Sequence, residues 1–211
     1  MESNEHFVTV EQEDEELFLD EPIKVISTST TTQTNRRDPI KGILYDTRVF
    51  TEPTNEAREL FQSGQYGKLD DKGRLELSLL EALYLVEKER LTLRSEANRA
   101  VSHTRLMKTA KKNGPNFWTR YCVYRDFRNR GYIIKTALKF GADFRVYDRG
   151  IKPGQDHAKW IVYPVREGDT LTWHDFASKN RVAHSTKKRL LIAIVDDEND
   201  VTYYEVNWTR P

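Results

Sequence analysis

The chain has a single cysteine, Cys122. A disulfide scaffold and a cysteine-rich zinc centre are therefore both excluded, and thiol redox chemistry has little to work with. Long hydrophobic runs are missing as well. No stretch approaches the roughly 18 apolar residues of a spanning helix, and the segment from Met1 is acidic where a secretory leader is basic and then apolar. The expectation is a soluble protein of the cytoplasm. Net charge is also scarce, since 34 Lys+Arg against 33 Asp+Glu leave only +1. That balance hides a segregation. Residues 1–21 hold nine acids and no lysine or arginine, which leaves 34 basic against 24 acidic residues, +10, for the rest of the chain. A basic folded body points to an anionic partner, and nucleic acid is the commonest.

What is present is enough for a core. Of the 211 residues, 37% are hydrophobic and 32% charged, which fits one or two compact domains. Residues 1–38, an acidic stretch followed by a Ser/Thr-rich run, read as a disordered tail. Residues 39–113 read as a small N-terminal domain. It begins with a short apolar strand at 43–45 and an amphipathic helix over about 55–63. Then Ser78 and Glu81 form a capping box before a helix that is apolar nearly all round and so belongs inside. Gly114-Pro115-Asn116 punctuates the chain and opens a second domain, 114–211. A helix is predicted over about 116–130, stopped by Gly131. Strands follow at 132–138, 142–147, 158–163, 188–195 and 201–206, with a helix over 173–185, capped by Thr172, between the third and fourth. This is a mixed α/β, or α+β, fold. Short connections force antiparallel pairing for several neighbours in the second sheet.

Three residues attract interest on position alone. Period two along 142–147 puts Ala142, Phe144 and Val146 on one face and Asp143, Arg145 and Tyr147 on the other, so Tyr147 falls on the polar side at a strand end. His157, beside Asp156, sits where a loop enters the next strand. Lys188 opens a run that is apolar on both faces, the pattern of a central strand. Taken singly, each has a plain structural reading: an interfacial tyrosine, a hydrogen-bonded surface histidine, a solvated strand terminus. Spacing alone does not join them.

A resemblance does. Tyr121-Cys122-Val123-Tyr124-Arg125-Asp126 with Arg130-Gly131-Tyr132, the run from Phe140 to Tyr147, His157-Ala158-Lys159, and the run from Arg181 to Lys188 followed by Leu191 to Asp196 resemble the catalytic domain of the archaeal-type tRNA-splicing endonucleases. Ala57 to Phe61 and Gly64 to Gly67 are similar to that family's N-terminal domain. The resemblance implies a catalytic triad of Tyr147, His157 and Lys188. The ribose 2′-hydroxyl would attack the adjacent phosphate, leaving a 2′,3′-cyclic phosphate and a 5′-hydroxyl. Tyr147 would be the base, His157 the acid and Lys188 the stabiliser of the pentacoordinate phosphorane, with no metal and no cofactor. An isolated phenol ionises only near pH 10, so a phenolic base needs cations close by, and Arg145, Arg149 and Lys188 are the candidates. The resemblance further implies that Arg181 and Trp208 bind a splayed base, and that the substrate is the bulge-helix-bulge element of precursor tRNA. The acidic loop Asp196, Asp197, Glu198 and Asp200 would sit at a subunit interface of a homotetramer, or of a heterotetramer with a related subunit. Tyr203, Tyr204, Val206 and Trp208 would offer a further apolar contact. The competing readings are a non-catalytic, RNA-binding subunit and a metal-dependent nuclease.

Overall fold

The computed structural model describes residues 38–114 and 116–209. Apart from Asp38, the acidic tail expected over 1–38 lies outside them. The first half is built on a five-stranded sheet. Its strands are β1 (Ile40–Leu44), β2 (Arg48–Thr51), β3 (Lys68–Leu69), β4 (Leu75–Ser78) and β5 (Leu91–Ser95), in the order β3-β4-β2-β1-β5. β1 pairs parallel with β5, and the other pairings are antiparallel. α1 (Asn55–Gly64) starts at Thr54, whose Oγ1 accepts a hydrogen bond from the Ala57 N–H at 3.2 Å. α2 (Leu79–Glu87) carries the predicted capping box. Ser78 Oγ accepts from the Glu81 N–H, and the Glu81 carboxylate accepts from the Ser78 N–H at 3.0 Å. Every residue from Leu79 to Leu85 is buried, Glu81 included, as expected for a helix that is apolar nearly all round. α3 (His103–Lys112) follows, buried only at Leu106 and Ala110.

The second half is α4 (Phe117–Asn129), β6 (Ile133–Ala137), β7 (Ala142–Tyr147), β8 (Trp160–Arg166), α5 (Trp173–Ser185), β9 (Arg189–Val195) and β10 (Val201–Val206). The sheet order is β10-β9-β8-β7-β6. Only β8 and β9 are parallel, because α5 crosses over between them; the hairpin-connected neighbours are antiparallel. The two-sheet α+β fold is therefore the one expected. β8 differs from its expected span of 158–163. It begins at Trp160 and runs through Pro164 to Arg166. Pro164 is tolerated because β7 pairs with β8 only between Trp160 and Val162, so no ladder partner on that side needs its missing N–H.

One face of the second sheet packs on α4 through Phe144, Val146, Val162, Leu191 and Ala193, in the same hydrophobic core as Leu83 and Leu85 of α2. The other face, with Ile161, Tyr163, Leu190 and Ile192, packs on Ala183 of α5. Covering both faces makes the ends of the middle strands the natural place for a pocket. Polar ties cross the seam between the sheets. Arg128 Nη1 donates to the Gly64 carbonyl at 2.8 Å, and Lys135 Nζ donates to the Gly67 carbonyl at 3.0 Å.

Candidate active site

β7 delivers Tyr147 to its C-terminal end, and the chain then loops through residues 148–159 before β8. The turn needs left-handed backbone at two glycines, Gly150 (φ 81°) and Gly154 (φ 95°). The loop is cross-braced. The Lys152 N–H donates to Gln155 Oε1 at 2.9 Å, the His157 N–H to Asp156 Oδ1 at 2.6 Å, and Lys159 Nζ to Asp148 Oδ2 at 2.8 Å. The last of these holds the Asp148 carboxyl below the usual carboxylate range. His157 is thus fixed at the backbone while its side chain stays exposed.

Lys188 is placed by the end of α5. Thr186 is the C-cap and Lys187 adopts the left-handed conformation (φ 53°). The N–H groups of Lys187 and Lys188 donate to the His184 and Ala183 carbonyls at 3.0 and 2.9 Å, a Schellman closure without its usual glycine. The Lys188 ammonium donates to the Thr186 carbonyl at 2.9 Å.

These segments meet. Tyr147, His157 and Lys188 line one pocket of about 460 Å³, together with Arg145, Pro153, Gly154, Gln155, Asp156 and Ala158. Tyr147 is more buried than its polar-face position predicts, at 4% exposure. Its face of the sheet is not open to solvent but covered by α5 and by the loop, and the Arg145 guanidinium lies 5.8 Å from its ring centroid. The Asp148–Lys159 tie across the base of the loop was not foreseen. Its only signal in the sequence is a pair of opposite charges where one strand ends and the next begins.

Arg181 and Trp208 line a second, larger groove of about 710 Å³, with Phe176, Ala177, Asn180, His184 and Ser185. It shares no lining residue with the Tyr147 pocket, and its walls are almost wholly apolar. The Trp208 indole meets the His184 ring edge-on at 4.5 Å and remains half exposed. Tyr203 is half-buried and makes contacts within the chain. Its ring packs on Phe127 at 4.9 Å and its hydroxyl donates to Asp126 Oδ2 at 2.7 Å, which with burial pushes the phenol well above its ordinary value. In the acidic hairpin, Asp196 closes the turn by accepting the Asp200 N–H at 2.8 Å, and Asn199 takes the Trp118 indole N–H. Asp197, Glu198 and Asp200 remain exposed.

Two family models match the chain, one in each half. The C-terminal catalytic domain of tRNA intron endonucleases matches residues 117–203, and the N-terminal domain of the same enzymes matches residues 40–107. The chain belongs to the tRNA intron endonuclease family. It is similar to the tRNA-splicing endonuclease of Methanothermobacter thermautotrophicus, 44% identical over 172 residues, which are 82% of this chain and 99% of that protein. It is also similar to the enzyme of that name from Thermococcus gammatolerans, 42% identical over 163 residues (77% and 94%), and to that from Nanoarchaeum equitans, 44% identical over 149 residues (68% and 93%). In this endonuclease the whole Tyr147 pocket and Arg181 fall inside the match to the catalytic domain. Trp208 lies five residues beyond its end, and neither family model reaches residues 1–39.

Proposed function

We propose that this endonuclease cleaves precursor tRNA at its intron–exon junctions by intramolecular transesterification. Tyr147 takes the proton of the ribose 2′-hydroxyl. The 2′ oxygen attacks the adjacent phosphorus, the bond from phosphorus to the 5′ oxygen breaks, and His157 protonates the departing oxygen. The products are a 2′,3′-cyclic phosphate and a 5′-hydroxyl. Lys188 meets the extra negative charge of the phosphorane between the two bond changes. No step calls on a metal. The observation that carries this reading is the convergence of a phenol, an imidazole and an ammonium, from three separate segments of chain, on one 460 Å³ pocket.

Substrate choice, in this reading, is mostly of shape. The element recognised is a bulge-helix-bulge, and one extruded base enters the apolar groove, where the Arg181 guanidinium and the Trp208 indole offer planes for stacking. Four units, identical or with a related subunit, set two pockets at the two junctions. The exposed carboxylates of Asp197, Glu198 and Asp200, with Asp196 at the turn, dock on a neighbour.

The test is incubation of the purified chain with intron-containing precursor tRNA in excess chelator, with end-group analysis of the products and the mass of the assembly measured in parallel. Cyclic phosphate and 5′-hydroxyl ends, abolished by His157→Ala, are the expected result. Loss of cleavage on chelation would mean a metal-dependent reaction, and normal cleavage by His157→Ala would remove the triad.

A further inference from the structure

Arg145 is the arginine that lines the Tyr147 pocket, and among the described residues it lacks the ties that hold several other arginines of its half of the molecule. Arg120 pairs with Asp143, Arg130 with Asp126 and Arg189 with Glu205 at 2.8–2.9 Å, and Arg128 is spent on the Tyr124 hydroxyl and the Gly64 carbonyl. Arg145, at the middle of β7, has no such partner among the described residues. Its Nε is buried without an acceptor, and its guanidinium lies over the face of the Tyr147 ring. The residues opposite it on the neighbouring strands are Lys135 and Ile161. Lys135 turns away to the Gly67 carbonyl and Glu81, and Ile161 offers no acceptor. Asp156, the one carboxylate in the pocket wall, accepts the His157 N–H through Oδ1. A guanidinium half withdrawn from water with no anion opposite is costly unless a ligand brings the anion.

The geometry points to Arg145 as a further catalytic residue, a second cation that receives a non-bridging oxygen of the scissile phosphate opposite Lys188. This rests on the transesterification reading above and deepens it. Arg145 lies over the face of the Tyr147 ring rather than bonded to its oxygen, so its donors are available to the pocket. The Lys188 ammonium already directs one proton to the Thr186 carbonyl. A compact ammonium gives a point contact, whereas the planar fork of a guanidinium can take two oxygens of one phosphate. The phosphorane carries more charge on those oxygens than the ground-state diester. A fixed second cation therefore strengthens binding most at the transition state and appears in the rate rather than in RNA affinity.

The test measures single-turnover cleavage of precursor tRNA at saturating enzyme, and RNA affinity separately, for the full chain, Arg145→Gln, Arg145→Lys and His157→Ala. Substrates carrying sulfur in place of each non-bridging oxygen at the junction are run in parallel. Arg145→Gln is expected to cut about 100-fold more slowly, with affinity within about threefold of wild type, and Arg145→Lys to lie between. The stereospecific penalty of one sulfur substitution is expected to shrink in Arg145→Gln, because the oxygen concerned has lost its partner. Wild-type rate in Arg145→Gln, a loss confined to affinity, or an unchanged sulfur penalty each overturns the assignment. If Arg145→Gln does not fold, Arg145→Lys decides: a clear fall in rate at unchanged affinity supports contact with the phosphate, and wild-type behaviour overturns it. Normal cutting by His157→Ala would bring down the triad and this inference together. An inactive His157→Ala beside a fully active Arg145→Gln brings down this inference alone.

Discussion

Lys159 Nζ donates to Asp148 Oδ2 at 2.8 Å, and this bond ties the residue after Tyr147 to the residue two beyond His157. The Lys159 backbone is stitched at the same point, its N–H donating to the Val146 carbonyl and its carbonyl accepting from the Arg189 N–H, both at 2.9 Å. The base of the loop that carries His157 is therefore clamped to β7 on one side and to the strand after Lys188 on the other.

Both partners of the tie are partly exposed, so its contribution to folding is small. Its contribution to geometry is larger, because small displacements of reacting groups cost rate steeply. Lys159→Ala is expected to lower the single-turnover cleavage rate about tenfold while moving the melting temperature by only a degree or two. Rates within a factor of two of wild type would show that the loop holds His157 without the tie.

The same bond sets a pH dependence. The Asp148 carboxyl is held below its ordinary value, chiefly by the hydrogen bond from Lys159, so the unfolded chain takes up its proton at higher pH than the folded one. The stabilisation is complete above the ordinary carboxylate range, near pH 4, and is lost as pH falls through the folded value. Asp148→Asn, which cannot titrate there, should show a shallower loss of melting temperature below about pH 4 than the wild type. Parallel acid limbs in the two proteins would contradict this.

Glu81 does more than cap α2. Its Oε1 accepts the Gly67 N–H at 2.8 Å and lies 3.7 Å from Lys135 Nζ, while Oε2 accepts both the N–H and the hydroxyl of Ser78. Burial lowers the Lys135 ammonium's tendency to hold its proton, and the Glu81 charge counters that burial. Glu81→Ala therefore takes the acceptor from the part-buried Gly67 N–H and leaves a mostly buried ammonium facing no opposite charge, an expected loss of about 3 kcal/mol. Ser78→Ala removes the cap alone and should cost about 1 kcal/mol. Denaturant midpoints at matched slopes separate the two, and equal losses would mean that the seam contributes nothing.

β7, β10 and α5 with its Thr172 cap fall at the residues predicted, because period-two alternation and an N-cap are signals carried within the segment. β2 to β5 and α3 were missed. β2, β3 and β4 have four, two and four residues, too few for a period to emerge, and α3 buries only Leu106 and Ala110 of its ten residues. The site shows a similar division. Tyr147, His157 and Lys188 were named through family likeness, but alternation put Tyr147 on an open polar face, since the cover comes from a helix some 30 residues further along the chain. The Schellman closure that seats Lys188 was also hidden, because its left-handed position is filled by Lys187 and not by the glycine that announces such a turn.

That lysine gives a last test. Lys187 holds φ at 53°, a region in which a side chain costs about 1 kcal/mol relative to glycine, while its N–H and that of Lys188 complete the end of α5. The side chain is exposed and lines neither groove, so little packing is lost on its removal. Lys187→Gly relieves the backbone but gives the unfolded chain more freedom, which offsets part of the gain. The expected net is a stabilisation of about 0.5 kcal/mol with cleavage within a factor of two of wild type. Lys187→Ala keeps the strain and should leave stability unchanged or slightly lower. If the glycine variant is less stable than wild type, the left-handed turn is not what ends α5. If it is more stable but cuts slowly, the Lys187 side chain takes part in presenting Lys188 to the pocket, and the closure is not sufficient by itself.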